Sequence, residues 1–287
     1  MMKQFSRREI LLINIMVIVV GLVLDLVGLL ASDALLRALL ESIGTGLIAT
    51  GGVNFLDRIL VERENGLQIV SWQRSATGKS IYNKKYEAEK VDILGITLDE
   101  VLEEIVSQPQ KMLYHIFHHR ARLRLLFLHP DAKFLEQRAM EDRMSRDAMR
   151  ARQLLSVERS VIFYKFLKKE YEKASRNQRL VAGLIGSVDI KLVDICPYIS
   201  IFRVDDEMYW GIYTSDVSGR DLPLFLANDG EKKLLFGQIK QHFYAQFSKG
   251  LTSEDNYLVK LNFGPPVLNT ELVEALLGAE KVKKLLA

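Results

Sequence analysis

Apolar positions run almost unbroken through the first sixty residues, whereas further along they fall into short alternating stretches separated by helical periods. From Ile10 to Ala31 the run ILLINIMVIVVGLVLDLVGLLA carries a single charge, Asp25. At 1.5 Å per helical residue such a run covers ~30 Å, the hydrocarbon thickness of a bilayer. A cleaved signal peptide needs an apolar core of only ~7–15 residues and a small-residue cleavage site, so the longer run favours a span. Ser32 and Asp33 make a turn, and a glycine-rich helical stretch from Ala34 to about Leu60 predicts a return path. Lys3, Arg7 and Arg8 precede the first span, and Arg58 and Arg63 follow the second. That charge placement predicts an inner-membrane hairpin with both termini and the main domain cytoplasmic.

Small and polar residues line up within this hairpin. Asn14, Gly21, Asp25 and Gly28 share one helical face, and Ser42, Gly46, Thr50 and Asn54 recur every four residues. Two readings stand. The seams pack helices closely, inside one hairpin or between copies, because small residues let backbones approach. Alternatively Asp25, Asn14 and Asn54 line a polar pore in an oligomer, since ionisable groups in spans face a partner or water. The lipid bilayer and a homo-oligomer, a dimer or higher, are the expected partners.

Past the hairpin, VDILGI at Val91–Ile96 predicts a strand, and Thr97 is placed to cap the helix of LDEVLEEIVSQPQKMLYHIFHHR. RLRLLFLH at Arg122–His129 predicts a second strand, and Pro130-Asp131 opens a helical stretch through about Arg176. That β-α-β-α order implies a parallel sheet. VDIKLVDI, SIFRV and EMYWGIYTS read as a meander or hairpin on the same sheet, followed by a strand at PLFLAN and a helix from Glu231 to Lys249. The predicted class is α+β, a mixed α/β sandwich behind a transmembrane hairpin. Breaks at Asn65–Ser80 and Gly250–Asn269 set the expected boundaries. These give a hairpin at 1–62, a linker at 63–83, a domain at 84–250, and a C-terminal loop with an amphipathic helix at 251–287.

Composition narrows the chemistry. The net charge is +3 with acids and bases interleaved, so nucleic acid is not demanded as a partner. A single cysteine, Cys196, excludes an internal disulfide and a multi-cysteine metal site. SATGKS at Ser75–Ser80 lacks the first glycine of a P-loop, for which Gln73 stands, although Arg74 and Lys79 are placed to contact an anion. His115 and His119 are four apart near His118 and His129, but no HExxH occurs, and neither a metal nor a cofactor is predicted. Arg120, Arg122 and Arg124 form a basic stretch, read either as a solvated face or as a cleft for a nucleotide or other anionic ligand.

The segment order from Lys84 to Gly250 resembles one lobe of the phospholipase D superfamily, in particular its degenerate, single-lobe bacterial members. The resemblance is carried by VDILGITLDEVL, RLRLLFLHPDAKFLEQRAMED, SIFRVDDEMYWGIY and PLFLAND, with the closing LFGQIKQHFYAQF helix. Active members carry an H-x-K-x-x-x-x-D motif. Aligned on Asp205, that motif meets Tyr198 at the histidine position and Ser200 at the lysine position, and no H-x-K triplet occurs anywhere in the chain. Without nucleophile and phosphate-binding cation the family reaction has no residues to run on. The resemblance therefore implies a membrane-anchored pseudoenzyme with a ligand- or partner-sensing role, a candidate membrane effector. The alternative is a phosphodiesterase acting on phospholipid or nucleic acid through a non-standard site.

Overall fold

The computed structural model describes residues 7–30, 36, 40, 42–45, 67–71, 81, 83–176, 185–194, 197–213, 223–229, 234–249, 256–262 and 264–287. The chain divides into two compact units, Met1–Gly66 and Leu67–Ala287.

In the first unit, helix α1 spans Arg7–Leu30. Gly21 is buried and Val17, Ile18 and Leu24 are half-buried. By helical spacing the backbone positions of Asn14, Asp25 and Gly28 fall on the side of Gly21. The expectation of a transmembrane hairpin is corrected: among the described residues no helix is long and apolar enough to cross a membrane. Helix α1 opens on three charged residues, Arg7, Arg8 and Glu9, and carries Asp25 towards its end, charges that are costly in a hydrocarbon core. The inner-membrane location and the bilayer as a partner lose their support with it. Of the proposed return helix, Ser42 is an exposed helical residue, while Gly46, Thr50 and Asn54 lie outside the described residues.

The second unit is built on one nine-stranded mixed sheet of order β1-β7-β6-β5-β2-β3-β4-β8-β9. Its strands are β1 (Leu67–Ser71), β2 (Lys90–Gly95), β3 (Arg122–Leu128), β4 (Ser187–Val193), β5 (Ile199–Val204), β6 (Glu207–Ile212), β7 (Leu224–Asn228), β8 (Tyr257–Leu261) and β9 (Val267–Leu268). The centre, β2-β3-β4, is parallel, and the flanking pairs are antiparallel. VDIKLV thus continues the parallel set as β4, where a meander was expected.

The β2–β3 crossover carries α2 (Asp99–Ser107) and α3 (Pro109–His118), and the β3–β4 crossover carries α4 (Leu135–Glu141) and α5 (Arg146–Arg176). Each expected single helix is two. Pro109 opens α3 at its first turn, where a missing N–H costs nothing. Arg143, at φ 55°, separates α4 from α5. Thr97 does not cap α2, whose N-cap is Leu98 without a side-chain bond.

Alternation along each central strand sends its residues to two faces. On one face Val91, Ile93, Leu123, Leu125, Phe127 and Ile190 pack with apolar residues of α2, α3 and α5. Helices α7 (Thr270–Leu277) and α8 (Ala279–Leu286) close the same core through Val273, Leu276 and Val282. The opposite face is covered by α6 (Leu234–Lys249), whose Phe236, Ile239, Phe243 and Phe247 meet Leu94, Leu126, Ile201 and Met208. Entry into β4 is tight, because a Cβ on Gly186 would stand inside the carbonyl of Ala121.

Candidate anion-binding site

The α6 face of the sheet is only half apolar. Strands β2, β3 and β4 each alternate charge with hydrophobe in the segments VDIL, RLRLL and VDIKL. Their register brings those charges into one row, Arg203–Asp92–Arg124–Asp189–Lys260, running across β5, β2, β3, β4 and β8. Opposite charges therefore face each other at each step, the favourable cross-strand arrangement. Arg122 and Lys191 lie two residues from Arg124 and Asp189 on the same face, at opposite ends of the row's width.

Asp92 is the centre of the network, at 1% exposure. It accepts from Arg124 Nε at 2.6 Å and from Arg203 Nη1 at 2.9 Å, with Arg122 Nη2 at 3.8 Å. Arg203 also donates through Nε to the Asp205 carbonyl at 2.9 Å and through Nη1 to the Tyr244 hydroxyl at 3.3 Å. From α6 come aromatic rings. The Arg124 guanidinium carbon lies 5.1 Å, 4.6 Å and 5.1 Å from the rings of Phe243, Tyr244 and Phe247. Lys191 Nζ sits 3.8 Å from the Tyr257 ring and 4.3 Å from that of Phe247, and donates to the Phe247 carbonyl at 3.2 Å. Desolvated cation–π contacts of this kind hold a charged sheet face against a helix.

Charge on this face does not balance. Among the described strand residues, Arg203, Arg124, Arg122, Lys191 and Lys260 oppose Asp92 and Asp189 alone. Burial pushes the Asp189 carboxyl above its ordinary range against the pull of Lys191, Lys260, Arg124 and Arg122, which weakens one of the two counter-charges. Burial also pushes Lys191 down to about 8. Burial of Tyr244 opposes ionisation, yet contact with Arg124 and Arg203 holds its phenol below the usual value. Two guanidinium nitrogens, Arg122 Nε and Arg124 Nη2, are enclosed without a hydrogen-bond acceptor among the described residues. A buried donor without a partner costs ~1–3 kcal/mol and more when charged, so it calls for an explanation.

The other residues singled out in the sequence do not join this site. Arg74 and Lys79 lie outside the described residues. Arg120 is an exposed loop residue at φ 57°. Tyr198, 69% exposed, precedes β5, whereas Asp205 follows that strand's far end. At ~3.3 Å per residue some 20 Å separates them, so they cannot form one cleft floor. Ser200 is buried and its hydroxyl donates to the Gly211 carbonyl at 3.4 Å. The Asp205 carboxylate is occupied structurally. One oxygen accepts the backbone N–H groups of Glu89 and Lys90 at 3.0 Å and 2.8 Å, with Asp205 itself in the left-handed region at φ 50°.

The Tyr114 ring lies tilted against those of His118 and His119 at 5.0 Å and 5.1 Å, beside an open cavity of about 660 Å³ lined by Tyr86, Glu87, Lys111 and His115. Burial and the neighbouring His119 hold the His115 imidazole below its ordinary value. His129 stands apart, accepting the Asp131 N–H through Nδ1 at 3.0 Å. Among the described residues no group of three His, Cys, Asp or Glu side chains is placed to hold a metal ion. The charged row, with Asp92, Arg203 and Asp189, is not evident from local sequence. Its local trace is charge alternating with hydrophobe in three consecutive strands.

No family model matches the chain, and no curated protein matches it. A solved structure described as that of TrmBL2, an archaeal chromatin protein showing a novel mode of DNA binding, aligns at 12% identity over 74% of this chain, with a TM-score of 0.29. The alignment covers 64% of that chain, less than two thirds, and so low a score carries no argument about fold or ligand. The phospholipase D resemblance is corrected accordingly. No comparison supports it, and the three positions that carried its motif sit at the two ends of a strand, with Tyr198 exposed and Ser200 and Asp205 bonded to backbone. The membrane-anchored sensing role and the phosphodiesterase alternative fall with it.

Proposed function

We propose that the unit Leu67–Ala287 is a binding module for a phosphate-bearing anion, taken at the edge of the charged row by Arg122, Arg124 and Arg203. The observation that carries this reading is the pair of enclosed, acceptor-less nitrogens, Arg122 Nε and Arg124 Nη2, on one face of one strand. Guanidinium groups offer planar, forked donors that match phosphate oxygens, and a pair of them two residues apart presents two forks side by side. Arg122 is the entry point, with a side chain 33% exposed, whereas Arg124 and Arg203 are buried behind it. The excess of cations over carboxylates on this face supplies the attraction, and the enclosed setting strengthens it.

Calorimetric titration of the full chain with inorganic pyrophosphate, against inorganic phosphate and chloride, tests the reading. Saturable binding by pyrophosphate is expected, weakened at least tenfold in Arg122→Met, a change at a partly exposed position that leaves the Arg124 and Arg203 bonds to Asp92 in place. Absence of binding by the native protein, or equal binding by native and variant, overturns it.

A further inference from the structure

We infer that helix α1 pairs with α1 of a second copy of this chain along its open apolar half. This rests on observations separate from the charged row. Ile15, Val19, Leu22, Leu26 and Leu29 recur at spacings of four, three, four and three. A second stripe one residue along, from Met16 to Leu30, repeats the same spacing. That is the 3.5-residue repeat which keeps a seam facing a partner helix over several turns. The exposures run from 41% at Ile15 to 81% at Leu30, while on the other half of the helix Gly21 is buried and Val17 and Leu24 are half-buried. One half of α1 is therefore less exposed and the other half is open.

Size and chemistry point to a second copy as the occupant. Ten large apolar side chains exposed to this degree present on the order of 1,000 Å², against ~300–600 Å² for the largest patch of an ordinary monomer. A standard stable interface takes ~800 Å² from each partner, and the open half of α1 carries apolar area of that order. Among the described side chains of the open half none is charged. A purely apolar stripe is complementary to itself, as a two-fold contact demands, and offers a charged partner nothing to pair with.

The test uses the full chain carrying Cys196→Ser, which removes the sequence's single cysteine. Leu22 is the middle residue of its stripe, so its two copies meet whether the helices run parallel or antiparallel. Oxidation of Leu22→Cys is expected to give a disulfide-linked dimer at least fivefold more abundant than Leu24→Cys, whose side chain lies on the less exposed half. Light scattering of the unoxidised Cys196→Ser chain is expected to give twice 32.8 kDa, falling to the single mass in Leu22→Asp. Equal cross-linking at both positions, the result for indiscriminate apolar contact, overturns the inference. So does a single-chain mass without Leu22→Asp, or a doubled mass that Leu22→Asp leaves unchanged.

Discussion

Replacing Asp92 by asparagine keeps the shape of the side chain and one acceptor oxygen but removes the charge that two buried guanidinium groups share. Asp92 is 1% exposed, and the side chains of Arg124 and Arg203 are 9% and 4% exposed, so water cannot replace what is lost. Breaking a buried ion pair from one side typically costs ~3–5 kcal/mol, because the remaining charge is stranded. Against a total stability of roughly 5–15 kcal/mol that is a severe loss. A cost of about 4 kcal/mol at a slope of ~2 kcal/mol/M lowers a urea midpoint by about 2 M.

Trp210, stacked on Phe225 at 4.9 Å on strand β6, reports unfolding of this unit by fluorescence when Trp72, the other tryptophan, is replaced by phenylalanine. The double variant Asp92→Asn, Arg124→Met removes one stranded charge together with its partner. It is expected to be more stable than the sum of the single changes by ~0.5–3 kcal/mol. An Asp92→Asn midpoint within 0.5 M of the parent, a bound of about 1 kcal/mol at that slope, refutes the claim that this carboxylate organises the row. Strict additivity in the double variant does so as well.

Lys191 supplies a pH dependence. Burial pushes its amine from 10.5 down to about 8, so between those values the unfolded chain holds a proton that the folded protein has shed. Stability therefore rises with pH across that window, by at most roughly 3 kcal/mol. Lys191→Met removes that rise and is more stable than the native chain below pH 8; parallel urea midpoints for the two proteins from pH 7 to 10 contradict it. Gly186→Ala forces a methyl group into the Ala121 carbonyl and displaces the start of β4. A loss of ~1–3 kcal/mol follows from overpacking, and a midpoint unchanged from the native protein shows that the backbone has room to move.

Much of the second unit's secondary structure is legible in the sequence because each segment carries its own signal. RLRLLFLH has the short, dense apolar run of a strand, and EKKLLFGQIKQHFYAQFSK the period of a helix. What local pattern cannot supply is pairing. Nothing within VDIKLV says that it lies parallel to β3, and only that register turns Asp189 from a surface acid into a neighbour of Arg124. The short β8, YLVKL, is bracketed by glycine and proline and reads as a loop until β4 supplies the edge it pairs with. Arg122 and Arg124 were visible as a basic stretch, but their enclosure depends on Asp92, some thirty residues earlier, and on α6, over a hundred residues later. The motif positions Tyr198, Ser200 and Asp205 illustrate the reverse. Spacing along a strand placed them in one pattern, and the extended backbone of β5 holds the first and last at opposite ends.

The most direct test of the account is a nitrogen-15 spectrum of the arginine side chains during titration with inorganic pyrophosphate. The Nε resonance of Arg122, enclosed without an acceptor among the described residues, is predicted to shift progressively and saturate. That of Arg159, whose guanidinium already bonds the Asp99 carbonyl and Glu103, is predicted to stay in place. A static Arg122 signal at saturating pyrophosphate, or shifts confined to arginines away from the row, contradicts the assignment of this face as the binding site.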